Sequence, residues 1–162
     1  MKPFLLLILS LCFAIPAFAQ ADSGFTHKSE AKNKIVNGLK EGKWLEYLDE
    51  TETVITDTTK ITDTGIVAKY YRLTIYKAGK HFGIVRYYYK YSDGEEILFR
   101  EIPYSEGKIN GVYKEYYPTG ALHREYPYTN GKENGLAKDY LDSGDVKEET
   151  KYLNGKAIST MH

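Results

Sequence analysis

The chain has 162 residues, in which 22 Lys and Arg balance 22 Asp and Glu, with 16 Tyr, 14 Gly and one Cys. That composition suits one folded domain and excludes a disordered, collagen-like or disulfide-stapled build. The zero net charge excludes ordinary nucleic-acid binding, which needs Lys and Arg in surplus on one face.

The first twenty residues read as an export signal. Met1-Lys2-Pro3 supplies a positive charge, Phe4 to Ile15 forms an apolar run, and Ala17-Phe18-Ala19 places small residues where a signal peptidase reads them, so cleavage is expected after Ala19. The run falls short of the ~20 residues that cross a bilayer, and nothing later approaches that length, so no integral membrane segment is expected. The mature protein is expected to be periplasmic or secreted. Cys12 follows Leu11, where a lipoprotein signal carries a small residue, which disfavours lipidation. Removal of residues 1–19 leaves no thiol, and with it no disulfide, zinc-thiolate site or cysteine nucleophile. Residues 20–34 are polar and aperiodic and read as a flexible leader.

From residue 35 a repeat organises the chain to about residue 158. Gly107-Lys108-Ile109-Asn110-Gly111 recurs 24 residues later as Gly131-Lys132-Glu133-Asn134-Gly135, and Gly155-Lys156 opens a further copy after another 24. Tyr104, Tyr128 and Tyr152 keep the same phase, as do Tyr116 and Tyr140. The copy beginning at Gly79 places Tyr88 at an offset of 28 from Tyr116, with four extra residues assigned around Ser92-Asp93-Gly94. The earliest copy starts at Gly38 and carries Trp44 and Tyr47; an insertion, roughly 49–78, follows it. Within that insertion Thr53 to Thr56 and Tyr70 to Lys77 read as strands around a Thr62-Asp63-Thr64-Gly65 turn.

Each copy reads as a β-hairpin. Val112 to Tyr117 is aromatic and β-compatible, Pro118-Thr119-Gly120 is a turn, and Ala121 to Tyr128 is the return strand. Asn130-Gly131 supplies the positive φ angles of a tight turn into the next copy. A hairpin this short cannot bury its own faces, so the expected fold is all-β: an elongated, single-layer antiparallel sheet of stacked ~24-residue hairpins. Equivalent residues then form columns, one of Tyr47, Tyr88, Tyr116 and Tyr140 and another of Tyr104, Tyr128 and Tyr152. Both faces mix polar and aromatic residues, which predicts a thin, partly wet sheet. Pro103 and Pro127 occupy equivalent places in return strands, where a bulge or unpaired edge is expected.

These residues resemble a known family. Gly107-Lys108-x-Asn110-Gly111 with Glu115-Tyr116-Tyr117, Gly120 and Leu122, and their counterparts Gly131-Lys132-x-Asn134-Gly135, Tyr140, Gly144 and Val146, are similar to the bacterial variant of the MORN repeat found in proteins labelled YwqK-family toxin-antitoxin antitoxins. The resemblance implies stacked hairpins and a scaffolding or protein-binding role. Joined to an export signal, it implies an adaptor or immunity-like role outside the cytoplasm rather than an antidote to a cytoplasmic toxin. Related repeats elsewhere have been associated with membrane phospholipid, whereas this neutral chain lacks the cationic patch such binding favours.

No catalytic constellation emerges. His27, His81, His123 and His162 are not paired at metal-ligand spacing, and His123 falls opposite Phe99 in the repeat register, as a strand-face residue would. Glu101, Glu125 and Glu149 recur once per copy, which points to ion pairs with Lys or Arg rather than to an asymmetric acid–base pair. There is no G-x-S-x-G elbow, P-loop or dinucleotide fingerprint. The expectation is therefore a non-enzymatic protein without metal or cofactor. Its partner would be another protein, bound through a sheet face or edge, and the residues singled out for that contact are Tyr88, Tyr104, Tyr116, Tyr128, Tyr140, Tyr152 and Trp44. The competing expectation is a cell-wall or glycan-binding module built on the same aromatic residues.

Overall fold

A computed structural model describes residues 25–56, 68–91 and 93–162. The expected signal peptide and the Thr62–Gly65 turn lie outside the described residues. The protein is a single open antiparallel sheet in hairpin order. Its strands are β1 (Lys34–Val36), β2 (Leu39–Leu48), β3 (Tyr70–Lys77), β4 (Lys80–Lys90), β5 (Glu96–Ser105), β6 (Lys108–Ile109), β7 (Gly111–Tyr116), β8 (Leu122–Thr129), β9 (Lys132–Glu133), β10 (Gly135–Tyr140), β11 (Val146–Leu153) and β12 (Lys156–Met161). The spatial order follows the chain, with β6 and β9 forming the starts of the strands continued by β7 and β10. The described residues contain no α-helix, and no helix among them is long and apolar enough to cross a membrane.

The G-K-x-N-G motif has a physical reading at each position. Asn130 and Gly131 have φ of 51° and 84°, both in the left-handed region that a two-residue turn between twisted strands requires. The Asn of the motif ties neighbouring copies together, since Asn130 N–H donates to Asn110 Oδ1 at 3.2 Å. The second glycine is dictated by a proline. A Cβ on Gly111 would lie 3.1 Å from Pro103 Cγ, and one on Gly135 would lie 2.8 Å from Pro127 Cγ. The interruption expected at these prolines is present in the adjacent strand, which breaks at Asn110 and Asn134 between β6 and β7 and between β9 and β10. Each break is bridged by a hydrogen bond from the Asn N–H to the proline carbonyl, at 2.9 and 2.8 Å.

The far ends of the hairpins share one turn. Tyr117 N–H donates to Ala121 O and Gly120 N–H to Tyr117 O, and the same pair of bonds closes Tyr91–Glu95, Leu141–Asp145 and Asp49–Thr53. The four extra residues assigned around Ser92-Asp93-Gly94 flank the Tyr91–Glu95 turn. They are Tyr89, Lys90, Glu96 and Ile97, which pair with one another and lengthen both strands by two residues without altering the turn. The insertion also shrinks. Tyr70–Lys77 is the return strand of the first copy, paired with β2 from Gly42↔Tyr76 to Leu48↔Tyr70, so the added length lies between residues 49 and 69. The residues at 53–56 contribute only an isolated bridge, Leu48↔Val54.

Side chains alternate between two faces along every strand. The back face carries one core of Leu48, Val85, Tyr87 and Ile102. On the front face Phe25 is fully buried against Tyr71 and Leu73, with Leu45, Tyr47, Ile75 and Tyr88 around it. Residues 25–33, which fall within the segment read as a leader, form a strap across β2–β4. Arg86 Nη1 donates to Phe25 O at 3.0 Å, Lys43 pairs with Glu30 and Lys28 with Glu96. One buried aromatic ring is worth roughly 1.5–3 kcal/mol of transfer free energy, enough to hold a segment that lacks helical or strand periodicity.

The strap also closes the outer edge of β2 beyond β1. Lys43 O accepts from Lys32 and Asn33 N–H, the Asn33 amide bonds both N–H and C=O of Leu45, and Tyr47 O accepts from Ile55 N–H. Successive carbonyls point to opposite edges, so Ile55 lies on the strap side of β2, whereas Lys69, which donates to Leu48 O, lies on the β3 side.

Candidate functional site

The register separates the residues singled out by sequence into two sets that cannot share one surface. Tyr47, Tyr88, Tyr116 and Tyr140 lie on the front face, while Tyr104, Tyr128, Tyr152 and Trp44 lie on the back. Tyr88 stacks on Tyr71 with centroids 4.8 Å apart and planes 3° from parallel. Tyr116 donates to Glu101 at 2.8 Å and Tyr140 to Glu125 at 2.6 Å, so each ring reaches back to the preceding return strand. On the back face each column tyrosine sits opposite a glycine: Tyr104 opposite Gly83, Tyr128 opposite Gly111 and Tyr152 opposite Gly135. A ring covers the backbone that the glycine leaves bare. Tyr76, opposite Gly42, begins this column. The sequence reading placed Tyr76 inside the insertion and so missed it, although it stands 28 residues before Tyr104.

Charge is arranged in rows across the strands. The front row runs Leu45, Leu73, Arg86, Glu101, Lys114, Glu125, Lys138, Glu149 and Met161 in direct register. Six charges alternate in sign, with Arg86–Glu101 at 2.9 Å and Lys138–Glu149 at 3.0 Å. Glu101 and Glu149 are thus ion-pair residues, and Glu125 lies in register between Lys114 and Lys138. At the first hairpin the row holds Leu45 and Leu73 instead, and that apolar pair is the seat of Phe25. The back row runs Glu46, Arg72, Tyr87, Arg100, Glu115, Arg124, Asp139 and Glu148. Half-exposed pairs of this kind contribute about 0.2–1 kcal/mol each, and a slipped register would place like charges opposite one another.

One polar cluster on the back face is buried. Glu46 is 4 % exposed and accepts from Arg72 Nε at 2.7 Å, from Lys40 and, at 3.2 Å, from the Tyr76 hydroxyl. Burial pulls its carboxyl upward, but the hydrogen bond and charge of Arg72, followed by those of Lys40, prevail and hold it below the usual 4.5. Tyr76 has one proton and the ionised Glu46 can only accept, so the 2.9 Å contact between Tyr76 and His81 is donated by His81 Nε2. Burial first, then the charges of Arg72 and Lys40, keep His81 below its ordinary 6.5. Lys40, Glu46, Arg72, Tyr76 and His81 are thus joined in one network. It fixes β2, β3 and β4 to one another rather than presenting a nucleophile or an open acid–base pair. Among the described residues no group of three or more His, Cys, Asp or Glu is placed to hold a metal ion.

What lies open is the front face beyond the strap. Leu136, Val146 and Leu153 are 41 %, 49 % and 55 % exposed there, flanking the half-buried rings of Tyr116 and Tyr140 and bordered by the charged row. No repeat position marks this boundary, because it is set by how far residues 25–33 reach. No family model, curated protein or solved structure matches the chain.

Proposed function

We propose that this is an exported, non-enzymatic repeat protein of the bacterial MORN-variant kind that binds another protein through the open front face of its sheet, in an adaptor or immunity-like role. The observation that carries the reading is the half-covered face. Over β2–β4 a segment of the chain itself docks there by seating one aromatic ring and pairing its charges with the sheet. Over β7–β11 an apolar and aromatic strip bordered by alternating charge stays open to a partner using the same chemistry. The mature chain and a variant carrying Leu136→Lys and Val146→Lys should be compared in pull-downs from envelope extracts. Loss of a specific partner with the variant, and its retention by a folded back-face Tyr128→Ser variant, is the expected result. Capture that survives the two lysines unchanged refutes the assignment to this face.

A specific observation favours a second reading. Tyr104, Tyr128 and Tyr152 lie on every second strand, about 10 Å apart, a pitch comparable to the disaccharide repeat of an extended β-linked wall glycan. Saturable retention on purified peptidoglycan, lost when these three are replaced by Ala, would put glycan binding first.

A further inference from the structure

The two lateral edges of the sheet are finished differently. On the first side β1, the Asn33 amide and Ile55 occupy the outer hydrogen-bonding groups of β2. On the last side β12 has no strand on its outer edge among the described residues, and all six of its residues are exposed. Lys156-Ala157-Ile158-Ser159-Thr160-Met161 has no proline and no charge after its first residue, and its one interruption is the extra residue Ile158 between the Lys151↔Ser159 and Tyr152↔Ala157 pairs. Leu153, Ile158 and Met161 are each more than half exposed there, at 55 %, 55 % and 57 %.

From this edge we infer that two copies of the chain pair β12 to β12, antiparallel across a two-fold axis, and join their sheets into one. The occupant is chosen by charge. One end of the edge is basic, with Lys156 on β12; the other is acidic, with Glu149 in register with Met161 and Glu148 contacting His162 at 3.3 Å. A two-fold axis between Ile158 and Ser159 reverses one copy against the other. It sets Lys156 of each copy opposite Met161 of the second, two strands from that copy's Glu149. That separation is about 10 Å between Cα atoms, which an extended lysine and glutamate span together over the methionine. The alternating front row then continues from one subunit into the next. A parallel or head-to-head arrangement would bring like charges together. The two Ile158 side chains meet beside the axis, and an isologous contact of this sort closes after two copies. The inference uses the edge and is independent of the partner proposed for the front face.

Sedimentation velocity of the mature chain over about 1–200 µM, a range suited to a small interface, tests it. A monomer–dimer equilibrium is expected. Lys156→Glu sets acid against acid twice per dimer, Glu149→Lys sets base against base twice, and either alone should weaken dimerisation by about a hundredfold. An equimolar mixture of the two variants should dimerise again, because both contacts are then attractive. Ile158→Lys, at an exposed position that leaves folding intact, should also give monomer by placing two lysines beside the axis. A monomeric wild type throughout the range overturns the inference, as does a dimer of unchanged affinity in Ile158→Lys or mixed variants that remain monomeric. Partner capture through the front face that persists in a monomeric Ile158→Lys variant would leave the functional reading standing by itself.

Discussion

Replacing Gly135 by alanine tests the physical reading of the repeat motif most directly. Gly135 has φ of 132°, a region essentially reserved for glycine, and its missing Cβ would sit 2.8 Å from Pro127 Cγ and 3.2 Å from Pro127 Cβ. The backbone strain is about 1–3 kcal/mol and forcing a methyl against a proline ring is about 1–3 kcal/mol more. Gly135→Ala should therefore cost about 2–6 kcal/mol, a large share of the ~5–15 kcal/mol available to a domain of this size. Only the second contribution depends on Pro127. Pro127→Ala in the same background should recover about 1–3 kcal/mol of the loss, measured as a double-mutant cycle from urea unfolding followed by circular dichroism. Gly131→Ala is the control, because φ there is 84° but no atom lies within 4 Å of the added methyl. Its cost should be indifferent to Pro127. If Gly135→Ala and Pro127→Ala add within about 0.5 kcal/mol, the proline does not explain the glycine.

Three further outcomes follow from the same structure. Phe25→Ala should cost about 3–5 kcal/mol and expose residues 25–33 to protease, whereas a loss below about 1 kcal/mol would mean that the strap is not held by its ring. Glu106 has φ of 51° at the turn position that Asn130 and Asn154 fill in other copies, so Glu106→Asn should stabilise by about 0.5–1 kcal/mol in the same urea assay. Nine tyrosines have pKa values raised above the ordinary 10.0, by burial first and, for most, by the carboxylates their hydroxyls meet; Tyr126 and Tyr140 are pushed to about 12. The folded state thus favours the protonated phenol. That stability is complete below pH 10 and is lost as the pH rises further. Tyrosinate absorbance at 295 nm should grow together with loss of the sheet's circular dichroism, and ionisation of most rings near pH 10 in an intact sheet would contradict the assignment.

The fold was legible because its signals are local and repeated. Asn130-Gly131, the spacing of Tyr104, Tyr128 and Tyr152, and the β-compatible run at Val112–Tyr117 each specify hairpin geometry within a few residues. The first copy was harder to read. Its 49–69 excursion separates β2 from β3, so Tyr70–Lys77 lost its phase with the later return strands and Tyr76 dropped out of its column. The strap was illegible for a different reason: it is anchored by one side chain, Phe25, and single anchors leave no period. The face on which a given tyrosine lies was legible in part, since alternation along each strand was read correctly. Assigning Tyr116 and Tyr128 to opposite surfaces needed the register between strands.

The positions that distinguish one copy from another say more about function than the repeated ones do, because a residue present in every copy is already accounted for by stacking. Where later copies place an ion pair, the first places Leu45 and Leu73, and the chain docks its own Phe25 there. Where Pro103 faces Gly111 and Pro127 faces Gly135, the last hairpin has Lys151 opposite Ser159, and every residue of β12 is exposed. Releasing the Gly–Pro constraint leaves a strand with a single-residue irregularity after Lys151 and an outer edge free of bulky rings. Both ends of the sheet thus depart from the pattern that builds its middle, one to accept a segment of the chain and the other to present an edge. The interior copies in turn set how far apart those two ends are held.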